Sequence, residues 1–266
     1  MNETLTRALS GVLYIIILVS ATLFLNSFLV LFGLLLLLSV YEFCELVNLR
    51  KIIPFLLASF LYFFFTYYFF DLRADLVLLI CFLLIAIKAL SYLFNRDEKS
   101  MTAVEKYSYL VGYLVIPFIF LAKLPFVESV FNPKIVISIF ILIWFNDTMA
   151  YVVGKSIGKT KLFERVSPKK TIEGFLGGLF FSTVISVFIA KYYIHQAVEH
   201  WVFISLIAGI FGTLGDLIES KFKRMAGVKD SGRIMPGHGG ILDRLDSIIF
   251  AGPFVFLFYQ ILNYVS

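Results

Sequence analysis

Cysteine is nearly missing from this chain. Cys44 and Cys81 are its two cysteines, and each lies inside an apolar run. A disulfide framework is therefore excluded, and both are expected to be buried thiols. Charge is thin as well, at 15% of residues, and gathers in a few places. No stretch alternates apolar and polar residues along its length, which sets aside a membrane β-barrel. There is no convincing internal repeat and no low-complexity linker. The pairs Gly154-Lys155-Ser156 and Gly158-Lys159-Thr160 suggest a P-loop, but Met149 and Val153 stand where that motif requires its first glycine. The apolar run after Arg7 is too long for a signal-peptide core and lacks a convincing cleavage site, so it is read as a retained span.

What the chain does have is hydrocarbon. Its 266 residues are 60% hydrophobic and include 31 Phe. Soluble domains hold roughly 45–50% apolar residues, and several runs here reach the ~20 residues that cross a bilayer. Candidate spans cover 8–25, 27–47, 52–70, 74–94, 107–126, 133–153, 174–195, 201–218 and 247–264. Unpaired backbone is costly in lipid, so each span is expected to be helical. The fold class is all-α: a polytopic integral membrane bundle of about nine transmembrane helices. The fifth span is the weakest, because Pro117, Lys123 and Pro125 interrupt it. With nine spans, 18 of the 23 Lys and Arg fall on one side. Arg73, Lys123, Lys134 and Lys191 fall on the other, and Lys88 lies within a span. The positive-inside rule then places the N-terminus and the basic loops in the cytoplasm.

Two regions carry the remaining polar chemistry. From Asp216 to Asp246, acids, bases and glycines crowd together beside the spans, which marks a functional site. Asp216, Asp243 and Asp246 can hold a hard cation such as Mg²⁺. Lys221, Lys223, Arg224, Lys229, Arg233 and Arg244 can hold phosphates. Gly237, Gly239 and Gly240 let backbone amides approach an anion. His238 suits a phosphate hydrogen bond better than a metal that prefers oxygen. If the eighth helix continues past the membrane, Asp216, Ser220 and Lys223 share one face, and Asp243 and Asp246 sit a turn apart at the start of the ninth. The second region runs from Trp144 to Gly178. A carboxylate at Asp147 in an apolar stretch needs a cation or hydrogen bonds. Ser167-Pro168 ahead of Thr171 and Glu173 reads as a helix start, Lys169 and Lys170 either simply obey the positive-inside rule or meet anionic headgroups, and Gly174, Gly177 and Gly178 suit close helix packing. Glu42 and Glu45, on one helix face, either line a polar cavity or sit at the interface, and the interfacial reading is preferred. Residues 95–106 form a polar connector.

The longer signature resembles that of the phosphatidate cytidylyltransferases, also called CDP-diglyceride synthases. The matching positions are Ser220, Phe222, Lys223, Arg224, Lys229, Asp230, Gly232, Met235, Pro236, His238, Gly239, Gly240, Ile241, Asp243, Arg244, Leu245 and Asp246. Met235 stands where that family usually has Leu, Ile or Phe. Asn146-Asp147 through Ala150-Tyr151 and Ser167-Pro168-Lys169-Lys170-Thr171 through Gly174 resemble the same family's middle region. The resemblance covers about residues 144–252. It implies cytidylyl transfer from CTP to phosphatidate, with the lipid phosphate attacking the CTP α-phosphorus in line.

In that reading Lys223, Arg224, Asp243 and Asp246 are catalytic. Ser220, Lys229, Arg233, His238, Gly239, Gly240, Arg244, Lys169 and Lys170 meet substrate. Asp216, Asp243 and Asp246 hold Mg²⁺, with a second metal or a monovalent cation left open. Residues 1–100 are N-terminal transmembrane helices; 101–266 are the catalytic transmembrane region with cytoplasmic loops 154–173 and 219–246. CTP, phosphatidate and the bilayer are the partners, no nucleic acid is expected, and a homodimer stays open. The expected location is the cytoplasmic (inner) membrane, with the site facing the cytoplasm. A CTP-dependent polyprenol or phytol kinase is the nearest rival. The pattern of CDP-alcohol phosphotransferases is absent, and an anion transporter would predict repeats and a midplane site.

Overall fold

The computed structural model describes residues 3–68, 71–95, 101–127, 130–237 and 239–265. Among them, the nine expected spans are nine helical runs. These are α1 (Glu3–Thr22), α2 (Leu25–Leu46), α3 (Ile52–Phe63, continued by a π turn), α4 (Leu72–Phe94), α5 (Ala103–Phe126), α6 (Pro133–Ile157), α7 (Ile172–Ile194), α8 (Val198–Met225) and α9 (Leu242–Val265). Seven are long and apolar enough to cross a membrane, and α1 and α3 carry shorter apolar stretches. The chain is a polytopic helical membrane protein.

The chain forms two compact units. The first comprises Met1–Lys123 and Lys221–Asp246. Here α5, expected to be the weakest span, is almost wholly buried. Pro117 lacks the amide that would reach the Tyr113 carbonyl, and the chain widens into a π turn over Leu110–Val115. Lys123 was expected to interrupt this span and to count on the exterior side. It is instead buried at the end of α5, where its ammonium donates to Asp75 of α4. An ion of either sign in such a place needs a partner. Phe222, 1% exposed, is ringed by Phe43, Tyr92, Tyr109 and Tyr113, with centroids 5.3–5.6 Å away. Lys221, expected to hold phosphate, is buried and donates to the carbonyls of Tyr92 and Asn95. Its charge thus meets the negative end of α4. Cys44 is buried as expected, whereas Cys81 is exposed on the outer face of α4.

The second unit comprises Leu124–Ser220 and Ser247–Ser266. Glycines seat α7 against α6: a Cβ at Gly178 would come 2.8 Å from the Asn146 carbonyl, and one at Gly174 3.0 Å from the Gly154 Cα. The close packing expected of Gly174, Gly177 and Gly178 is present. The helix start expected at Ser167-Pro168 is not. Ser167–Thr171 is a strand (β2), paired antiparallel with Lys161–Phe163 (β1). α7 begins after Thr171, whose hydroxyl accepts the Gly174 amide at 3.1 Å. Glu173 folds the segment back by accepting the amides of Lys159 (3.0 Å) and Thr160 (3.1 Å). Pro168 is tolerated because an edge strand leaves amides unpaired.

Candidate active site

The loop of the first unit is built from the end of α8 and the start of α9. α8 stops at a left-handed residue: Gly227 has φ +71°. Its amide bonds the Arg224 carbonyl at 3.0 Å, and the Val228 amide bonds that of Lys223 at 2.9 Å. This is the Schellman closure, which favours glycine at that position. The Arg224 guanidinium, expected to be catalytic, donates to the Val228 carbonyl at 2.9 Å and so reinforces the turn.

Lys223 turns inward. Its Nζ lies 2.6 Å from Asp243 Oδ1, with both side chains under 10% exposed. The other oxygen, Asp243 Oδ2, accepts from the Ser231 amide (2.9 Å) and the Gly240 amide (2.8 Å). The Gly240 amide therefore does approach an anion, as expected of this glycine turn, but the anion is the protein's own carboxylate. A second carboxylate sits beside it. Glu42 of α2, 1% exposed, accepts from the amides of Ile241 (2.9 Å) and Leu242 (2.8 Å). The Ser231 hydroxyl lies 2.9 Å from Glu42 Oε2 and 3.0 Å from Asp243 Oδ2. Gly239 holds φ +84°, a conformation that side chains rarely adopt. Side chains at Gly232 or Gly240 would overlap Glu42 itself.

Above this knot lies an open cleft of about 550 Å³, lined by Lys229, Asp230, Arg233, Pro236, Gly237 and Arg244 among others. Lys229, Arg233 and Arg244 are exposed there. Three cations facing a glycine turn give a concave surface suited to a polyanion. His238 lies outside the described residues. Asp246, one turn into α9, is buried.

In the second unit, Asp216 and Ser220 share a face of α8 as their spacing predicts, with the hydroxyl 3.1 Å from Asp216 Oδ1. Lys170 places its ammonium 2.5 Å from Asp216 Oδ2, while Lys169 is exposed. Glu219, fully buried, offers a carboxylate oxygen within 4.8 Å of one on Asp216. Two carboxylates this close can share a hard cation, which would take the place of the Lys170 ammonium at Asp216. Asp243 fits less well, because both its oxygens already hold the loop together.

Sequence reasoning missed Glu42 and Glu219 as site residues. It placed Glu42 with Glu45 at the interface, but the two diverge: Glu45 is exposed and meets Lys51 at 2.7 Å. The sequence did hold a signal. Glu42 falls on the apolar stripe of Phe28, Phe32, Leu35 and Ser39, all buried, and an acid on such a stripe must be partnered. The adjacent pair Asn146-Asp147 also divides. Asn146 is buried between Gly178 and Gly209, and Asp147, expected to be buried, is exposed.

The fold and the site together define a polytopic helical membrane protein with three exposed cations, Lys229, Arg233 and Arg244, around a glycine turn. Known sequences make the assignment more particular. The model of the cytidylyltransferase family matches residues 5–262, and this chain belongs to that family. A phosphatidate cytidylyltransferase of Staphylococcus aureus (strain COL) is 53% identical over 116 residues, 43% of this chain and 44% of the relative. The protein of that name from Staphylococcus haemolyticus (strain JCSC1435) is 50% identical over the same length and shares. That from Staphylococcus epidermidis (strain ATCC 35984) is 48% identical over 115 residues. The match thus spans less than half the length of these curated relatives.

Proposed function

We propose that this protein transfers the cytidylyl group of CTP to phosphatidate, giving CDP-diacylglycerol and pyrophosphate. The observation that carries this reading is the cleft of Lys229, Arg233 and Arg244, built by the same loop whose sequence resembles the family signature. The relatives named phosphatidate cytidylyltransferase supply the substrate pair.

The chemical problem is to join two polyanions. An oxygen of the phosphatidate phosphate bonds to the CTP α-phosphorus while the bond to the β-phosphate breaks. Such transfers depend mainly on positioning and charge neutralisation. Lys229, Arg233 and Arg244 bind and orient the triphosphate. Lys169, exposed on β2, suits the lipid headgroup. Lys223, fixed by Asp243, adds positive charge beneath the glycine turn. No general base is required, since the attacking phosphate is already ionised. Mg²⁺, for which the resemblance implies Asp216, Asp243 and Asp246, would supply Lewis-acid stabilisation of phosphate oxygens, and Glu219 adds a carboxylate beside Asp216.

Orientation follows the same logic. Removing buried Lys123 from the exterior count leaves Arg73, Lys134 and Lys191 there, which strengthens the case for a cytoplasmic cleft. Phosphatidate then keeps its acyl chains in the bilayer while its head meets soluble CTP. The test is pyrophosphate release by purified protein in detergent with Mg²⁺. Release that requires both CTP and phosphatidate supports the reading. CDP formed with a prenol acceptor, and no pyrophosphate, would replace it with a kinase.

A further inference from the structure

We propose that Glu42 is a positioning residue for the nucleotide cleft, and that supplying it is one task of the N-terminal helices. Its part in catalysis rests on the cytidylyl-transfer reading; its hold on the loop does not.

A helix leaves its first amides without intrahelical partners, and a side chain at the N-cap normally accepts them. α9 cannot use its own. Ile241, which is apolar, stands at its N-cap, and Gly240 before that has no room for a side chain: any Cβ there would overlap the Ser231 hydroxyl and the Glu42 carboxylate. The missing acceptors come from elsewhere in the chain. Ser231 Oγ lies 3.3 Å from the Asp243 amide. Glu42 takes the amides of Ile241 and Leu242, one on each oxygen. Asp243, the second residue of α9, reaches back to accept the Gly240 amide. The negative charge of Glu42 also meets the positive end of α9.

Glu42 comes from α2, 189 residues before Ser231 and 200 before Leu242. It therefore ties a transmembrane helix to both ends of the loop. Arg244, which lines the cleft, sits on the turn that Glu42 caps. Gly232, beside the cleft cation Arg233, packs against the same carboxylate. Beside the Asp243 carboxylate, its hydrogen-bond partners in this knot are donors: two amides and a hydroxyl. A glutamine cannot replace it, because its NH₂ group would face one of those donors and leave a buried group unpaired. Aspartate keeps the charge but falls one methylene short.

The experiment uses the full chain in detergent, as wild type, Glu42→Gln and Glu42→Asp. Trypsin cleavage after Lys229 and Arg233 reports the loop. Cleavage after Lys161 and Arg165, on the β1–β2 hairpin, reports the rest of the fold. We expect Glu42→Gln to speed loop cleavage about tenfold or more, the size of leaving a buried donor unpaired. Hairpin cleavage should stay unchanged and Glu42→Asp should recover part of the difference. The KM for CTP should rise by a similar factor while that for phosphatidate holds. Ser231→Ala, which keeps the charge, should give a smaller effect in the same direction and supplies a second reading if Glu42→Gln folds poorly. Unchanged loop cleavage in both Glu42→Gln and Ser231→Ala would overturn the proposal, as would equal acceleration at loop and hairpin. Wild-type protein that forms no cytidylyl lipid, yet shows the cleavage pattern, would overturn the proposed reaction and leave the positioning role standing.

Discussion

A methyl group at position 240 would overlap the Ser231 hydroxyl and the Glu42 carboxylate at once. At Gly227 the same methyl would meet nothing within 4 Å, although φ is +71°. The two glycines therefore predict different failures. Gly227→Ala should cost about 1 kcal/mol through backbone strain alone, seen as a lower unfolding temperature in detergent with the CTP kinetics intact. Gly240→Ala should cost about 1–3 kcal/mol by overpacking and reduce lipid cytidylylation more than stability. Equal effects of the two on kinetics would contradict this. The residues of the loop were legible in the sequence because charge and glycine are conspicuous in so apolar a chain. Their division of labour was less so. Asp243 was read as a metal ligand, and the structure adds contacts with Lys223 and two amides that the sequence did not foretell. Glu42 was read as interfacial because its partners lie about two hundred residues away in the chain, a pairing that no local pattern reveals.

At the scale of elements, hydrophobic runs were enough to place all nine helices, since length and apolarity decide which segments can cross a bilayer. Polar interruptions misled. Pro117 and Lys123 made α5 look weak, yet it is deeply buried, because a π turn absorbs the proline and Asp75 neutralises the lysine. The hairpin before α7 was hidden for a related reason. Ser-Pro followed by Thr and Glu is a common helix opening, and here Glu173 accepts amides from the loop that leads into β1. The Asp75–Lys123 pair gives a direct prediction. Asp75→Asn or Lys123→Met alone leaves a buried charge and should destabilise by about 3–5 kcal/mol. The double variant should recover most of that loss in thermal unfolding. If the double variant loses the sum of the two, the residues act independently.

Across the whole molecule, charge placement sets the expected topology. Basic residues on the β1–β2 hairpin and the glycine loop should share the cytoplasmic side, while the α5–α6 connection should face outward. In a Cys44→Ser/Cys81→Ser background, Val130→Cys should react with an impermeant maleimide in intact cells. Arg165→Cys should react only after permeabilisation. The reverse pattern would place the cleft outside, away from cytoplasmic CTP. The reaction itself is tested most directly with CTP labelled separately in the cytidine and in the γ-phosphate, given to purified protein with phosphatidate and Mg²⁺. Cytidine label should enter the lipid and γ-phosphate label should leave as pyrophosphate, in equal amounts. γ-Phosphate label in the lipid, or no lipid labelling by folded protein, would contradict cytidylyl transfer.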